Sequence, residues 1–239
     1  DNIVRIYRGN SLRASIPANA PASITFNTDA QQWIMGRDDS KLHIMTERPP
    51  ATIAQHTATV RSMALSPDNL TLIAGGDDTL VRTWDLTTGK PVRAFAHSSA
   101  VTHMALSPDG TRFVSAEASG KIRIGILATG EILGPVEGSS PVQSLSWSPD
   151  GHSFLATSAD GIVRQITSAA AVAEQTTVTG VSDAIVLDST GARAFAGKEK
   201  SLSIEPSPKR WQAPSTVKVI DLFGAPAGLV TFLADGVVE

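Results

Sequence analysis

Val60-Arg61-Ser62-Met63-Ala64-Leu65-Ser66-Pro67-Asp68, followed by Gly75-Gly76-Asp77-Asp78 and Val81-Arg82-Thr83-Trp84-Asp85, is the stretch whose reading decides the fold. Ser66-Pro67-Asp68 returns as Ser107-Pro108-Asp109 and as Ser148-Pro149-Asp150, two steps of 41 residues (107 − 66 and 148 − 107). Leu80-Val81-Arg82 keeps the same phase with Lys121-Ile122-Arg123 and Ile162-Val163-Arg164. The slot of Asp78 is filled in turn by Asp1, Asp39, Asp78, Ser119, Asp160, Glu199 and Asp235, at steps of 36 to 41 residues (235 − 199 to 119 − 78). A period of this size marks a stacked or radial array of small units, each unable to bury its apolar sides alone.

Within the best unit four strands are expected: Val60–Leu65, Leu70–Ala74, Leu80–Trp84 and Val92–Phe95. Short apolar runs punctuated by Gly, Pro, Asp and Asn argue for all-β structure. Pro67 presets φ for the first turn, Gly75-Gly76-Asp77-Asp78 reads as the second, and Thr88-Gly89 as the third. Asp160-Gly161 and Asp235-Gly236 are hairpin signals, because glycine accepts positive φ.

The units resemble the WD-repeat family. The likeness rests on the Ser-Pro-Asp after strand one, the hairpin acid, the Val81-Arg82-Thr83-Trp84-Asp85 strand and a histidine ten residues before the Ser-Pro, as His56 precedes Ser66. It is strong over residues 59–180 and weaker outside. What it implies is an all-β fold, a β-propeller of four-stranded antiparallel blades packed around an axis. On that reading the chain divides into a partial blade at 1–20, blades at 21–58, 59–99, 100–140, 141–180 and 181–217, and a partial blade at 218–239. In the weaker units the expected strands include Ile24–Phe26, Trp33–Met35 and Leu42–Met45, and later Ile185–Leu187, Ala194–Ala196 and Leu202–Ile204. Three prolines in Glu205–Ser215 predict a loop or an edge strand there.

Asp1 and Asp235 share a slot, so the chain spans six repeat lengths and a few residues more. Two arrangements satisfy this arithmetic. The first strands could complete a blade with the last ones and close a six-bladed ring, or the chain is cut mid-blade from a longer array. A third strand occurs at both ends, at Ile3–Tyr7 and Val237-Val238, and a closed ring needs one of them; we expect the longer array.

Composition narrows the function. The 239 residues suffice for a substantial buried core, and 41% hydrophobic against 18% charged argues against long disordered tails. A net charge of −3 speaks against nucleic acid as the main partner. The chain has no cysteine, which removes disulfide and thiolate chemistry and leaves the compartment open between cytosol and bacterial envelope. No apolar run approaches the roughly 20 residues that span a bilayer. No signal-peptide pattern opens the sequence, and the start at Asp1 leaves room for an upstream segment.

Several residues could look functional. His56 and Asp78 could pass for two members of a catalytic triad, yet no nucleophile can be placed beside them. The family resemblance implies instead a buried hydrogen-bond network of His56, Asp78 and Trp84, with Ala74 standing where a hydroxyl would sit. The next unit carries His97 and Ser115 but has Ser119 and Gly125 in the acid and tryptophan slots. Asp38-Asp39 and Asp77-Asp78 supply too few oxygens for calcium, which takes roughly six to eight, so we read them as turn acids. Arg5, Arg82, Arg123 and Arg164 recur in phase, with His43 in the matching slot, and a residue repeated in nearly every unit serves the unit: stem on apolar surface, head on a carboxylate. Lys209-Arg210-Trp211 breaks the repeat, and Trp and Arg are frequent binding anchors. Neither a phosphate loop, a metal-ligand spacing nor a nucleophile elbow is present, so no catalytic residue, cofactor or metal is assigned.

The expectation is a non-enzymatic scaffold that binds other proteins or peptides through the loops of one face. Those loops lie around Arg37–Ser40, Asp77–Thr79, Ala118–Gly120 and Ala159–Gly161, and at the links near His56, His97 and Gly138. Arg37, Asp38, Asp77, Lys209, Arg210 and Trp211 are the candidate partner-binding residues. The rival readings are a regulatory or sensory domain of a longer chain and a propeller enzyme using the central channel.

Overall fold

In a computed structural model, the described residues are 3–8, 11–17, 21–26, 33–37, 40–45, 51–138, 140–177, 181–186, 193–197, 201–205, 210–212, 219–225 and 228–233. Side chains are described over 56–138 and 140–175 and at Ile34, Ser40, Lys41 and Leu42.

All regular elements among these residues are strands. β1 (Ile3–Arg8) and β2 (Ser11–Pro17) form a two-stranded ladder. The first four-stranded sheet follows as β3 (Pro21–Phe26), β4 (Trp33–Arg37), β5 (Lys41–Met45) and β6 (Ala51–Gln55). The second holds β7 (Val60–Leu65), β8 (Thr71–Gly76), β9 (Leu80–Asp85) and β10 (Lys90–Ala96). The third holds β11 (Val101–Leu106), β12 (Arg112–Glu117), β13 (Ile122–Ile126) and β14 (Ile132–Val136). The fourth holds β15 (Val142–Trp147), β16 (Ser153–Ser158), β17 (Ile162–Thr167) and β18 (Val172–Thr177). The fifth holds β19 (Val181–Val186), β20 (Arg193–Gly197), β21 (Ser201–Glu205) and β22 (Arg210–Gln212). β23 (Val219–Ala225) and β24 (Gly228–Leu233) close the series as a second two-stranded ladder. In every four-stranded sheet the strands pair antiparallel in chain order. Among the described residues no ladder joins β24 to β1.

The core lies between sheets. Ile34 and Leu42 of the first sheet pack with Leu72 and Trp84 of the second. Ile73 and Val81 of the second pack with Val101, Met104 and Phe113 of the third. Val114 and Ile122 of the third pack with Trp147 and Phe154 of the fourth. Thus β8, β12 and β16 are buried on both faces, which explains their unbroken apolar runs. The first strand of each sheet lies against the first strand of the next, from β3 through β7, β11, β15 and β19 to β23. Polar clips cross the same seams: the Met104 N–H donates to Ser62 Oγ at 3.0 Å, and Trp147 Nε1 donates to the Ala105 carbonyl at 3.1 Å.

Each Ser-Pro-Asp turn is built alike. The Ser66, Ser107 and Ser148 hydroxyls donate to Asp68, Asp109 and Asp150 at 2.5, 2.6 and 2.6 Å, and each accepts an N–H from five residues on. Asn69, Gly110 and Gly151 occupy the same left-handed position, at φ of 60°, 68° and 70°. Asparagine and glycine are the residues that tolerate it.

Three sequence expectations need correction. Gly75-Gly76 is not in a turn but ends β8, buried, because β11 of the next sheet presses on it. A Cβ on Gly75 would sit 2.8 Å from Val101 Cγ1. Leu70 belongs to the turn before β8 and is 49% exposed. Strand one of the fifth sheet begins earlier, at Val181, and Leu187 lies outside the described residues. In the Pro-rich segment β22 pairs with β21 alone, as an edge strand.

Candidate partner-binding face

The second-to-third-strand hairpins and the fourth-to-first-strand links gather at one end of the sheets. At the hairpin turn of each of the first four sheets one residue takes positive φ: Ser40 at 66°, Thr79 at 62°, Gly120 at 88° and Gly161 at 82°. Its carbonyl holds the following link where the contact is described, since the His56 N–H donates to Ser40 O at 2.7 Å and the His97 N–H to Thr79 O at 2.9 Å.

Beneath the hairpin of the second sheet lies an ionic knot. Asp78, 4% exposed, accepts from Arg82 Nη1 and from the Thr57 N–H at 3.1 Å, and faces His56 Nδ1 at 3.0 Å. Burial alone would raise the Asp78 pKa. Arg82, the Thr57 amide and His56 outweigh it and hold the carboxyl at about 2. His56 is itself pushed below the ordinary imidazole value, because burial outweighs its carboxylate neighbour. The Trp84 ring lies 5.3 Å from the His56 ring, tilted by 57°.

The third sheet solves the same problem with different residues. Ser119 stands in the acid slot, yet Glu117, at the end of β12, sends a fully buried carboxylate beneath the hairpin. It accepts from Arg123 Nε at 2.6 Å and from the Ser98 hydroxyl at 2.5 Å. Here too burial would raise the pKa, and the Ser98 hydroxyl and Arg123 hold it at about 2. Sequence reasoning missed Glu117. The signal available was an acid two residues before an empty slot, in a unit that retains its arginine. Arg82 and Arg123 therefore serve their own units, while Arg164 of the fourth sheet donates to Ser158 Oγ and Gln175 Oε1. Arg5 and His43 carry side chains outside the described residues.

His97 and Ser115 meet directly. His97 Nδ1 donates to the Phe95 carbonyl at 3.1 Å, so Nε2 accepts from the Ser115 hydroxyl at 2.8 Å. In the second sheet Ala74 occupies that register and His56 Nε2 is buried without a partner. Ala74→Ser should therefore stabilise the chain by about 1 kcal/mol in urea unfolding, and Ser115→Ala should destabilise it by about 1–3 kcal/mol. Equal stability of A74S and the parent would contradict this.

Of the candidate binding residues, Asp77 is at this end and grips Arg61 through both oxygens, with Nε to Oδ1 at 2.9 Å and Nη2 to Oδ2 at 2.7 Å. Arg37 ends β4 at the corresponding hairpin, with its side chain outside the described residues, and Asp38 lies outside them altogether. Lys209 is also outside. Arg210 and Trp211 stand on β22 opposite Ser203 and Leu202, close to the start of β21, so the register brings them near the hairpin end on the outer strand of the fifth sheet. Among the described residues no group of His, Cys, Asp and Glu could hold a metal ion, and no helix is long and apolar enough to cross a membrane.

Four-stranded antiparallel sheets whose first strands pack in succession around an axis define a β-propeller. Residues 47–85, 89–124 and 130–166 each match the WD40 family model (WD domain, G-beta repeat), and over this span the chain is a WD-repeat protein. Each match starts before the fourth strand of one sheet and ends in the third strand of the next, so the sequence repeat straddles two sheets. No curated protein matches the chain. Repeats of this family generally mediate protein–protein interaction and typically act as non-enzymatic scaffolds.

Proposed function

We propose that this chain is a non-enzymatic interaction scaffold whose hairpin end binds another protein. One observation carries the reading. Beneath the hairpins of the second and third sheets the base is locked by a buried carboxylate–arginine pair, while the tip residues of successive sheets differ freely: half-buried Asp77, exposed Ala118 and exposed Ala159. A rigid base under variable tips is the arrangement that recognition requires. Asp77 and Arg37 stand at hairpins of this end, and Asp38 joins them by its slot in the sequence repeat. Arg210 and Trp211, on the outer strand of the fifth sheet near the same end, would extend that contact at its edge, with Lys209 next to them in sequence.

The test is capture of the partner from the native source, followed by cross-linking of the captured complex. Ala118→Arg and Ala159→Arg should each weaken capture at least tenfold, because an arginine at the tip blocks close approach. Lys90→Glu, on the exposed outer strand β10, should leave it unchanged. Cross-links confined to the outer strands, with both tip variants binding normally, would overturn the assignment. So would turnover of a hydrolase substrate that disappears on mutating an inner-strand residue.

A further inference from the structure

A buried carboxylate covered by an exposed hydroxyl occurs in two successive sheets. In the second, the link residue after His56 is Thr57, whose N–H and hydroxyl donate to Asp78 at 3.1 and 3.2 Å. In the third, the link residue after His97 is Ser98, whose N–H and hydroxyl donate to Glu117 at 3.4 and 2.5 Å. Thr57 and Ser98 are 41 residues apart (98 − 57), and both are exposed. Arg82 and Arg123 bind the same two carboxylates from below. Each ion pair therefore has a lid that solvent, and a modifying enzyme, can reach.

The third sheet carries the stronger version. Glu117 is fully buried and accepts from the Ser98, Ser99 and Ser119 hydroxyls as well as from Arg123. These bonds tie the link at 97–100 to the hairpin, and beside them the Ala118 N–H donates to the Ala100 carbonyl at 2.8 Å. The strand that leads into the link, β10, exposes every side chain except Phe95. A segment with so little burial opens locally at low cost, which brings Ser98 within reach of another protein's active site.

We propose that Ser98 is a phosphorylation site and that its phosphoryl group unlocks the link and hairpin of the third sheet. A protein kinase supplies the group from a nucleoside triphosphate. The bond from Ser98 Oγ to the terminal phosphorus forms as that phosphorus parts from the oxygen of the leaving nucleoside diphosphate, and the hydroxyl proton passes to the kinase's base. The product has lost its O–H donor and carries about −1.5 to −2 charge at pH 7. It stands where Glu117 received a hydrogen bond. Whether it repels Glu117 or draws Arg123 to itself, a buried carboxylate is left uncompensated, and the hairpin opens to hydrate it. That this switches the binding face rests on the scaffold reading above; the opening itself does not.

A phosphoryl group installed on Ser98 of the intact chain, with amide hydrogen exchange read at Ala118, tests it. Exchange should be faster than in the parent by about tenfold or more. Ser98→Ala, which removes the hydroxyl and adds no charge, should change it far less. In a Glu117→Gln background the phosphoryl group should have no such effect, because no buried charge faces it. If Glu117→Gln does not fold, Glu117→Met with Arg123→Met takes its place. Parental exchange in the phosphorylated chain, or equal acceleration in Ser98→Ala or in the charge-free background, would overturn the inference. So would the absence of Ser98 phosphate from the chain isolated from its native source and mapped by mass spectrometry. If the exchange results hold while Ala118→Arg and Ala159→Arg both bind the captured partner normally, the scaffold reading falls and the unlocking stands.

Discussion

Replacing Arg123 with methionine should cost about 3–5 kcal/mol, because it leaves the fully buried Glu117 carboxylate without its counter-ion. Changing both partners, as Glu117→Met with Arg123→Met, should cost much less, since no buried charge then remains. The pH dependence identifies the mechanism. Glu117 titrates at about 2 in the fold against an ordinary 4.5, so its contribution is complete above about pH 5 and is lost as pH falls toward 2. At about 1.4 kcal/mol per unit that is on the order of 3 kcal/mol. Asp78, held at about 2 against 3.8, acts in the same direction. The buried His56 and His97 are both depressed below 6.5, so the unfolded chain takes up protons first and acid begins to destabilise the fold below that value. Urea unfolding between pH 7 and 3 should show parental stability falling throughout. The Glu117→Met, Arg123→Met double variant should fall less steeply below pH 5. A loss under about 1 kcal/mol for Arg123→Met at pH 7 would show that the pair carries no weight.

The second large effect concerns a swap across one ladder. Leu72 faces Trp84 in the second sheet, Phe113 faces Gly125 in the third, and Phe154 faces Ile166 in the fourth. A Cβ on Gly125 would lie inside the Phe113 ring, so the phenyl fills the space that the indole fills one sheet earlier. Gly125→Trp alone should cost about 3 kcal/mol or more through overpacking. Adding Phe113→Leu recreates the Leu72–Trp84 pairing and should recover at least half of that loss. The receiving surface is equivalent, with Ile73 and Val81 in place of Ile34 and Leu42. Phe95, edge-on to Phe113 at 4.8 Å, limits the recovery. Additive single and double variants in thermal unfolding would show that the two positions do not share a volume.

Much of this molecule was legible in its residues. The 41-residue spacing of Ser66, Ser107 and Ser148 marked the unit (107 − 66 and 148 − 107), and the Pro and Asp that follow each serine marked the first turn. These signals are local: a turn needs a left-handed residue and a hydroxyl within five positions, and both appear in the string. Asp78 and Arg82 were equally visible, four residues apart on one hairpin. Slot matching failed at Glu117 and Gly125, because it assumes that a role keeps its position. A longer side chain two residues upstream reaches the same point beneath the hairpin, and a ring on the facing strand fills the same space.

The amino-acid order by itself determined the repeat, the strand and turn chemistry and the kind of sheet, because those depend on neighbours along the chain. Only the tertiary structure decided which carboxylate lies under each hairpin, which ring fills each seam, and that Gly75 and Gly76 belong to a strand pressed by the next sheet. Those outcomes are settled by volumes and charges shared between strands and loops that meet only in the fold, where several side chains can reach one place and packing selects among them.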